Sequence, residues 1–311
     1  MKNKIIEEAK KNCADIVGFA PADRFDKNDP IFKIMPEVKT VIGLAFRVLR
    51  GAYRGIEEGS TYYQYTTMAV DNMEETIMPM AQLSVCSILE QQGFTALPQI
   101  KQQKIMAEPN STNPEIIYDM IYRGVEAETQ MDFLNTAVMC GLGEKSFHSA
   151  LLTDEFGPMV RYCFVLTDAE LEATDVIEPH LCDNCKECVK GCPGHAINSD
   201  GVVEAWQCAV YYSGANGTKN PFMPPEALDD LENRIEIIAG EAKVTPETAK
   251  RILDRLYFYP PLSHGYQCSI CGRACDIACY VHLEQKGVLT KKFKTPFRKR
   301  EEWKFDIKDW M

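Results

Sequence analysis

The chain has 311 residues, and its 45 acidic and 34 basic side chains give a formal net charge of −11 at pH 7. A content of 45% hydrophobic and 25% charged residues is typical of globular proteins and excludes collagen-like and largely disordered classes. The acidic balance argues against non-specific binding of nucleic acid or anionic membranes by the whole chain. The length predicts about two domains.

The first part of the chain, residues 1–175, predicts a domain that mixes helices and strands. It opens with a charged helix, and apolar residues at helical spacing over 67–92 predict a second helix that stops at Gly93. Short runs rich in β-branched residues predict buried strands between these helices and after them. The predicted strands lie at 15–20, 40–46, 150–153 and 161–167.

From about residue 176 the composition changes, because nine of the 13 cysteines lie beyond this point. Clustered cysteines without an export signal indicate metal or redox chemistry in a reducing compartment, so we expect a cytoplasmic protein. We predict a second domain at 176–290 and a basic tail at 291–311.

Two helix patterns interrupt the cysteines of the second domain. One begins after Pro225 and ends at Gly240, and the other has Thr245 as its N-cap and proline at the first helical position. Together they predict a helical hairpin at about 210–262, inserted between metal ligands.

The first cysteine motif is the most specific signal in the chain. Thiolates two residues apart can bind one iron–sulfur cluster from a tight loop, and a fourth cysteine followed by proline turns towards a second cluster. A lone Cys-x2-Cys pair would equally suit zinc or a redox dithiol. The spacing of the four cysteines, the last followed by proline, favours iron–sulfur clusters over those alternatives. The motif is Cys182-x2-Cys185-x2-Cys188-x3-Cys192-Pro193.

A second, stretched set follows: Cys208, and then Cys268-x2-Cys271-x3-Cys275. The two sets supply eight thiolates, enough for two 4Fe–4S clusters that exchange their fourth ligands. Cys279 is a competing candidate, which we expect to be a spare thiol on a helix. The predicted ligands are Cys182, Cys185, Cys188 and Cys275 for the first cluster, and Cys192, Cys208, Cys268 and Cys271 for the second.

The order of several short segments resembles one family, the cobalamin-dependent epoxyqueuosine reductases and reductive dehalogenases. The resemblance runs from about residue 10 to 285 and ends on the two cysteine motifs. The other segments that carry it are Ala14-Asp-Ile-Val-Gly-Phe-Ala, Tyr62-Tyr-Gln-Tyr, Gln92-Gly-Phe-Thr-Ala-Leu-Pro, Cys140-Gly-Leu-Gly-Glu, Leu151-Leu-Thr-Asp-Glu-Phe-Gly-Pro-Met-Val-Arg and Val165-Leu-Thr-Asp.

The resemblance implies an α+β protein, in which a nitroreductase-like α/β domain is followed by a bacterial ferredoxin-like domain with two 4Fe–4S clusters. It also implies that electrons pass from the clusters to a corrinoid. The chain departs from the family pattern in two places. The position of the family's proton-donating Asp falls on Ala127, and Ser146-Phe147 stands just after the Gly-Leu-Gly turn, where the family usually has Gly followed by Lys or Arg.

Candidate site residues in the first domain follow from the resemblance and from their chemistry. A phenol can donate a proton in a reductive site, as can a cation or imidazole near a cofactor. We assign catalytic roles to Tyr63, Lys145 and His148. We assign cofactor contacts to Gly141, Gly143 and Ser149.

The predicted function is that of an iron–sulfur reductase that passes electrons through two 4Fe–4S clusters to a corrinoid or organic acceptor. The alternative is an electron-transfer or activator protein with two clusters and no substrate site of its own. The expected partners are a low-potential donor, either ferredoxin or flavodoxin, and a small-molecule substrate. Because only about 30 residues follow Cys279, tRNA is disfavoured as a partner, and no membrane association is expected.

Overall fold

The structure is a computed structural model, and it combines helices with sheet, which confirms the predicted mixed class at that level. Within the part of the chain it describes, no helix is both long and apolar enough to cross a membrane. The residues described are 1–62, 64–100, 131–253, 255–256, 270–301 and 303–311.

The chain packs as two compact units, each built from separate stretches of sequence. These units interleave along the chain, whereas the predicted domains are contiguous, so the domain boundaries stay a prediction. The first unit comprises Met1–Phe46, Met78–Leu142 and Tyr162–Ile177. The second comprises Arg47–Ile77, Gly143–Arg161 and Glu178–Met311.

Antiparallel pairing organises the strands. Strand β1 pairs with β2, β3 pairs with β6, and the order β1-β2-β6-β3 makes a four-stranded sheet, while β4 and β5 form a separate hairpin. The four predicted strands are confirmed, the third of them only as the short β5. The described strands are β1 (Ile16–Pro21), β2 (Thr40–Arg47), β3 (Ala96–Gln99), β4 (Glu144–Lys145), β5 (Leu151–Leu152) and β6 (Val160–Thr167).

Helices lie before, between and after these strands along the chain. The predicted N-terminal helix is confirmed as α1. The described α-helices are α1 (Lys2–Lys11), α2 (Pro30–Ile34), α3 (Arg50–Glu57), α4 (Met78–Glu90), α5 (Phe133–Met139), α6 (Glu187–Lys190), α7 (Ala205–Tyr212), α8 (Arg234–Ala239), α9 (Pro246–Leu253) and α10 (Ala274–Lys286).

The helix predicted over 67–92 is confirmed only in its second half, as α4. Its first half is π-helical, at Tyr65–Asp71 and Met73–Ile77. Regular α-helix begins beside Pro79, which has no N–H to donate to the preceding turn and is therefore tolerated only near a helix start. The predicted stop is confirmed, since Gly93 adopts a φ of 83° that suits glycine.

Two glycines in the strands of the first unit allow a close approach of backbone. Gly18 of β1 lies opposite Gly43 of β2. A Cβ atom on Gly18 would lie 1.9 Å from the carbonyl oxygen of Cys140, and one on Gly43 would lie 2.9 Å from the Cβ of Cys140. The sheet can therefore pack against the turn at Cys140 only because both positions lack a side chain.

The inserted helices differ from prediction at one end. Helix α8 starts at Arg234, well after Pro225, because the intervening residues form turns in which Leu228 has a left-handed φ of 58°. It ends at the predicted glycine. Helix α9 begins as predicted, and the Oγ1 of Thr245 accepts a hydrogen bond from the backbone N–H of Thr248 at 3.3 Å. The rest of the predicted hairpin falls partly outside the described residues.

The basic tail packs onto the second unit. Phe297 is 1% exposed, and its ring meets that of Tyr280 edge-on at 5.6 Å. Its backbone N–H donates to Glu284 at 2.7 Å, and the side chain of Arg298 pairs with Glu57. Phe293, by contrast, is 46% exposed. The tail is therefore held by the buried Phe297 and the polar contacts around it, and by Trp310, which is buried near its end.

We expect Phe297→Ala to lower the free energy of unfolding by about 3 kcal/mol, because it leaves a cavity beside Tyr280. Urea unfolding followed by tryptophan fluorescence measures the change. The matched control is Phe293→Ala, for which we expect less than about 1 kcal/mol because that ring is half exposed. Equal effects of the two substitutions would contradict the packing described here.

Candidate metal centre

The thiols of the first motif converge on one cavity. Cys182, Cys185 and Cys188 all line it, the last from the short helix α6. The loop that carries them turns tightly, because Asn184 and Lys186 have left-handed φ angles of 58° and 62°. A spacing of two residues in such a loop therefore places all three cysteines around one cavity, and their role as cluster ligands stays a prediction.

A buried carboxylate holds the start of this loop. Glu144 lies on β4, and its side chain is only 1% exposed. One of its oxygens accepts the backbone N–H groups of His180 and Leu181 at 2.6 and 3.0 Å, and the other accepts that of Cys182 at 2.8 Å. Three charge-assisted hydrogen bonds compensate the cost of burying this group.

Backbone N–H groups point at two of the sulfur atoms. The N–H of Phe147 donates to the Sγ of Cys182 at 3.3 Å, and that of Ala196 donates to the Sγ of Cys192 at 3.2 Å. Such donors stabilise a thiolate and tune the potential of a cluster bound to it. Phe147, which departs from the family pattern in its side chain, thus contributes through its backbone.

Burial raises the pKa of the thiols around the site. The pKa of Cys188 is raised to about 11 by burial and by the neighbouring thiols of Cys185 and Cys182. The pKa of Cys208 is raised to about 12 by burial and then by the charge of Cys271, with Cys192 adding to it. A bound metal cation reverses this balance, since it favours the thiolate directly. The donor set therefore fits iron–sulfur clusters.

The second motif lies around a separate cavity of about 200 Å³. Cys192 and Cys271 line it, together with Tyr62 and Trp303. The charges of Cys271 and Cys192 both raise the pKa of Cys208, which indicates that the three thiols are neighbours. Cys268, the fourth predicted ligand of the second cluster, lies outside the described residues.

Two cysteines follow on helix α10. Cys279 lines the cavity of the first motif, whereas Cys275 is absent from the described residues that line it. The sulfur of Cys275 instead lies within 4.8 Å of ligand atoms of His148 and Asp276. The assignment of Cys275 to the first cluster stays a prediction.

His148 connects the loop after β4 to helix α10. Its Nε2 lies 2.9 Å from an oxygen of Asp276, and its Nδ1 lies 3.1 Å from the hydroxyl of Ser146. Burial alone would raise the pKa of Asp276, but the charge of Arg273 and the hydrogen bond from His148 lower it to about 2. Because the carboxylate can only accept, Nε2 carries the proton.

The other predicted catalytic residues, Tyr63 and Lys145, and the predicted cofactor contact Ser149 are not seen to gather around His148 among the described residues. Lys145 and Ser149 are exposed, and Ser149 has a left-handed φ of 59°. Tyr63 lies outside the described residues. Its neighbours Tyr62 and Tyr65 are buried, and burial holds the pKa of Tyr65 well above the ordinary value of a phenol.

Backbone atoms of the chain itself occupy the space beside the two glycines that were predicted to contact a cofactor. A Cβ on Gly141 would lie 2.3 Å from the carbonyl oxygen of Asp175, and one on Gly143 would lie 2.1 Å from that of Leu152. These glycines therefore permit close packing of backbone. They form no cradle for a corrinoid on that side, and the cofactor contacts stay a prediction.

Sequence reasoning did not single out three side chains that organise the site. Glu144 binds the loop of the first motif, Asp276 binds His148, and His282 lies 3.0 Å from Asp183 beside the first cavity. Two signals were available. Glu144 directly follows the Gly-Leu-Gly turn, and Asp276 stands where the Cys-Pro pattern expects proline.

No protein-family model matches the chain. It is 35% identical over 97 residues to an epoxyqueuosine reductase of Gloeobacter violaceus, covering 31% of this chain and 29% of that protein. It is 41% identical over 64 residues to the tetrachloroethene reductive dehalogenase of Sulfurospirillum multivorans, covering 20% and 13%. The chain thus spans less than a third of the length of these curated relatives.

Solved structures of the same two kinds are similar to this chain at low identity. An epoxyqueuosine reductase from Bacillus subtilis has a TM-score of 0.46 at 15% identity, covering 92% of this chain and 82% of that chain. A reductive dehalogenase described as B12-dependent has a TM-score of 0.46 at 14% identity, covering 88% and 35%. The curated relatives confirm the predicted relationship to these two kinds of reductase.

The expectation about tRNA is wrong. The relatives include epoxyqueuosine reductases, and one solved epoxyqueuosine reductase is in complex with a tRNA-Tyr epoxyqueuosine-modified stem loop, at a TM-score of 0.47, 15% identity and coverage of 92% and 82%. The expectation relied on the short stretch of chain after Cys279, and the length of that stretch does not measure the ability to bind RNA.

We expect Glu144→Ala to lower the free energy of unfolding by about 3 kcal/mol, because three buried N–H groups lose their charged acceptor. The same variant should retain less iron after anaerobic purification, since the loop of the first motif is no longer held. Urea unfolding and an iron assay measure the two effects. The matched control is Glu155→Gln on an exposed turn, and an equal loss in the control would contradict this role of Glu144.

Proposed function

We propose that this chain is an iron–sulfur oxidoreductase that carries two 4Fe–4S clusters in a ferredoxin-like domain at 176–290. Electrons pass from these clusters to a corrinoid or organic acceptor bound by a nitroreductase-like domain at 1–175, in chemistry like that of the reductive dehalogenases. None of its twelve described cysteines is paired in a disulfide, in keeping with the cytoplasmic location we propose.

One observation carries this proposal: the three thiols of the first motif line a single cavity together with a fourth thiol from helix α10. Three thiolates from one such loop, completed by a fourth thiolate from helix α10, are the donor set of a 4Fe–4S cluster. Zinc would also accept four thiolates. The second group of thiols, around Cys192, Cys208 and Cys271, favours a two-cluster arrangement over a single structural zinc site.

Clusters bound at these two sites supply one-electron transfer. The residues of the chain hold the thiols in place and control their surroundings. Glu144 fixes the loop before Cys182, and the N–H groups of Phe147 and Ala196 direct positive charge at two ligand sulfur atoms. The surrounding apolar side chains keep water from the buried sulfur atoms, which is one of the factors that set a cluster potential.

The second candidate function, an electron-transfer or activator protein without a substrate site, is favoured by the geometry of His148. Both of its ring nitrogens are engaged, by Ser146 and Asp276. The ring therefore has no free nitrogen with which to contact a corrinoid. Lys145 and Ser149, which are exposed, do not converge with it.

We expect anaerobically purified protein to contain about eight irons and about eight sulfides per chain. Cys185→Ala should lower this to about four, because a 4Fe–4S cluster loses one of its ligands. Cys86→Ala is the matched control, since this buried thiol of α4 belongs to neither motif, and it should keep the wild-type content. Fewer than about five irons in wild-type protein would exclude two full clusters.

An optical titration of the same protein with cob(II)alamin distinguishes the two candidate functions. Binding with a clear spectral change is expected for the corrinoid-dependent reductase. Full clusters without any corrinoid binding would instead support the electron-transfer protein or a reductase whose acceptor is another organic molecule. Reduction of candidate acceptors by dithionite-reduced protein separates these last two.

A further inference from the structure

The basic tail places an aromatic residue at the cavity of the second motif. Trp303 lines this cavity of about 200 Å³ together with Cys192 and Cys271. The residue is partly buried, and it packs against buried apolar side chains of the second unit. Because part of Trp303 faces the cavity and part faces water, it lies between the thiols of the second motif and the solvent.

Residues of the cavity wall hold Trp303 in this place. Its Nε1 donates to the carbonyl oxygen of Ile56 at 3.0 Å, and its own carbonyl oxygen accepts from the Nζ of Lys219 at 2.9 Å. Its ring meets that of Tyr62 edge-on at 6.4 Å. Ile56, Lys219 and Tyr62 all line the same cavity, so the position of the indole is fixed relative to it.

The chain leaves room for the indole at Gly59. This residue has a left-handed φ of 64°, and a Cβ atom on it would lie 2.5 Å from the Nε1 of Trp303. Gly93 has a similarly left-handed φ of 83°, but a Cβ atom there would meet no described atom within 4 Å. The absence of a side chain at Gly59 therefore serves the placement of Trp303 as well as the turn.

The residues that follow Trp303 are themselves bound to the second unit. The backbone N–H of Phe305 donates to the carbonyl oxygen of Thr218 at 2.9 Å. Near the end of the chain, the carbonyl oxygen of Trp310 accepts from the guanidinium of Arg234 at 2.7 Å, and Trp310 is buried. These contacts keep the segment that carries Trp303 against the cavity.

Exclusion of water from this cavity has a predictable effect on a cluster held by its thiols. A 4Fe–4S cluster with four thiolate ligands is negatively charged, and reduction adds a further negative charge. Because water stabilises the more highly charged form, a cluster kept from water has a lower reduction potential. The indole excludes water without bringing a charge of its own, whereas Lys190 and Lys219 at the same cavity favour the reduced form.

We propose that Trp303 closes the cavity of the second motif and thereby lowers the reduction potential of the cluster bound there. This inference rests on the proposed function, since it assumes that the second motif binds a 4Fe–4S cluster. Trp303 acts by excluding water and by limiting access to the iron, and it accepts neither an electron nor a proton itself.

The test isolates the second cluster in a Cys185→Ala background, in which the first cluster lacks a ligand and about four irons per chain remain. Adding Trp303→Ala should raise the midpoint potential of the remaining cluster, measured by redox titration with electron paramagnetic resonance. It should also speed the release of iron to an added chelator severalfold. Trp303→Phe, which keeps a ring at the cavity, should stay close to the background in both measurements.

Two glycine substitutions separate the placement of the indole from general backbone strain. Gly59→Ala displaces the indole without removing it, so it should shift the potential in the same direction as Trp303→Ala. Gly93→Ala is the matched control, because it adds a Cβ atom at a similarly left-handed φ without meeting a described atom. It should leave the potential and the release of iron unchanged.

An unchanged or lowered potential in Trp303→Ala protein that retains about four irons would overturn the inference. Should Trp303→Ala lose the cluster, the other two variants decide: Gly59→Ala must raise the potential and Trp303→Phe must not, and otherwise the inference is wrong. Equal shifts with Gly59→Ala and Gly93→Ala would also contradict it. Wild-type protein without iron would refute the proposed function and this inference with it, whereas wild-type protein with about eight irons and an unshifted Trp303→Ala potential would refute the inference alone.

Discussion

The carboxylate of Glu144 is the constraint on which the arrangement of the first motif depends. It accepts three successive N–H groups, those of residues 180 to 182, and the last of these belongs to the first cysteine. A loop that must present several thiols to one space has no regular hydrogen bonding of its own. A buried acceptor supplied from β4 satisfies its donors and fixes where the motif begins.

The burial of the cysteine thiols links cluster binding to the release of protons. Burial raises the pKa of Cys188 and Cys208 to about 11 and 12, so the metal-free protein holds these groups as neutral thiols at neutral pH. Cluster binding must therefore displace protons, and the charge of the iron offsets the cost. The packing of the second unit and the occupation of its thiol sites are thus linked through the protonation of the same sulfur atoms.

The sequence predicted the parts of this structure that depend on local pattern. Strands β1, β2 and β6, the N-cap at Thr245 and the convergence of the first three cysteines all follow from neighbouring residues. Long-range features did not follow in the same way. The role of Glu144 requires β4 to meet a loop that comes 36 residues later in the chain, which no local pattern reports.

The different surroundings of two cysteines on one helix show the same limit at a finer scale. Cys275 and Cys279 share a helical face, so periodicity cannot rank them, and the Cys-x2-Cys-x3-Cys pattern favours the earlier one. Only the position of helix α10 beside α6 distinguishes their surroundings. That information belongs to tertiary packing, which a single sequence carries only indirectly.

The second cysteine motif departs from the expected Cys-Pro pattern, because Asp276 and not proline follows Cys275. Proline at this position would fix the backbone at the start of the helix and leave no polar side chain there. The aspartate instead places a negative charge in the first turn of α10, where the helix dipole favours it. The same carboxylate binds His148, one residue beyond the backbone N–H that donates to Cys182. Asp276, which stands in place of the expected proline, thus connects the loop that contacts Cys182 to helix α10.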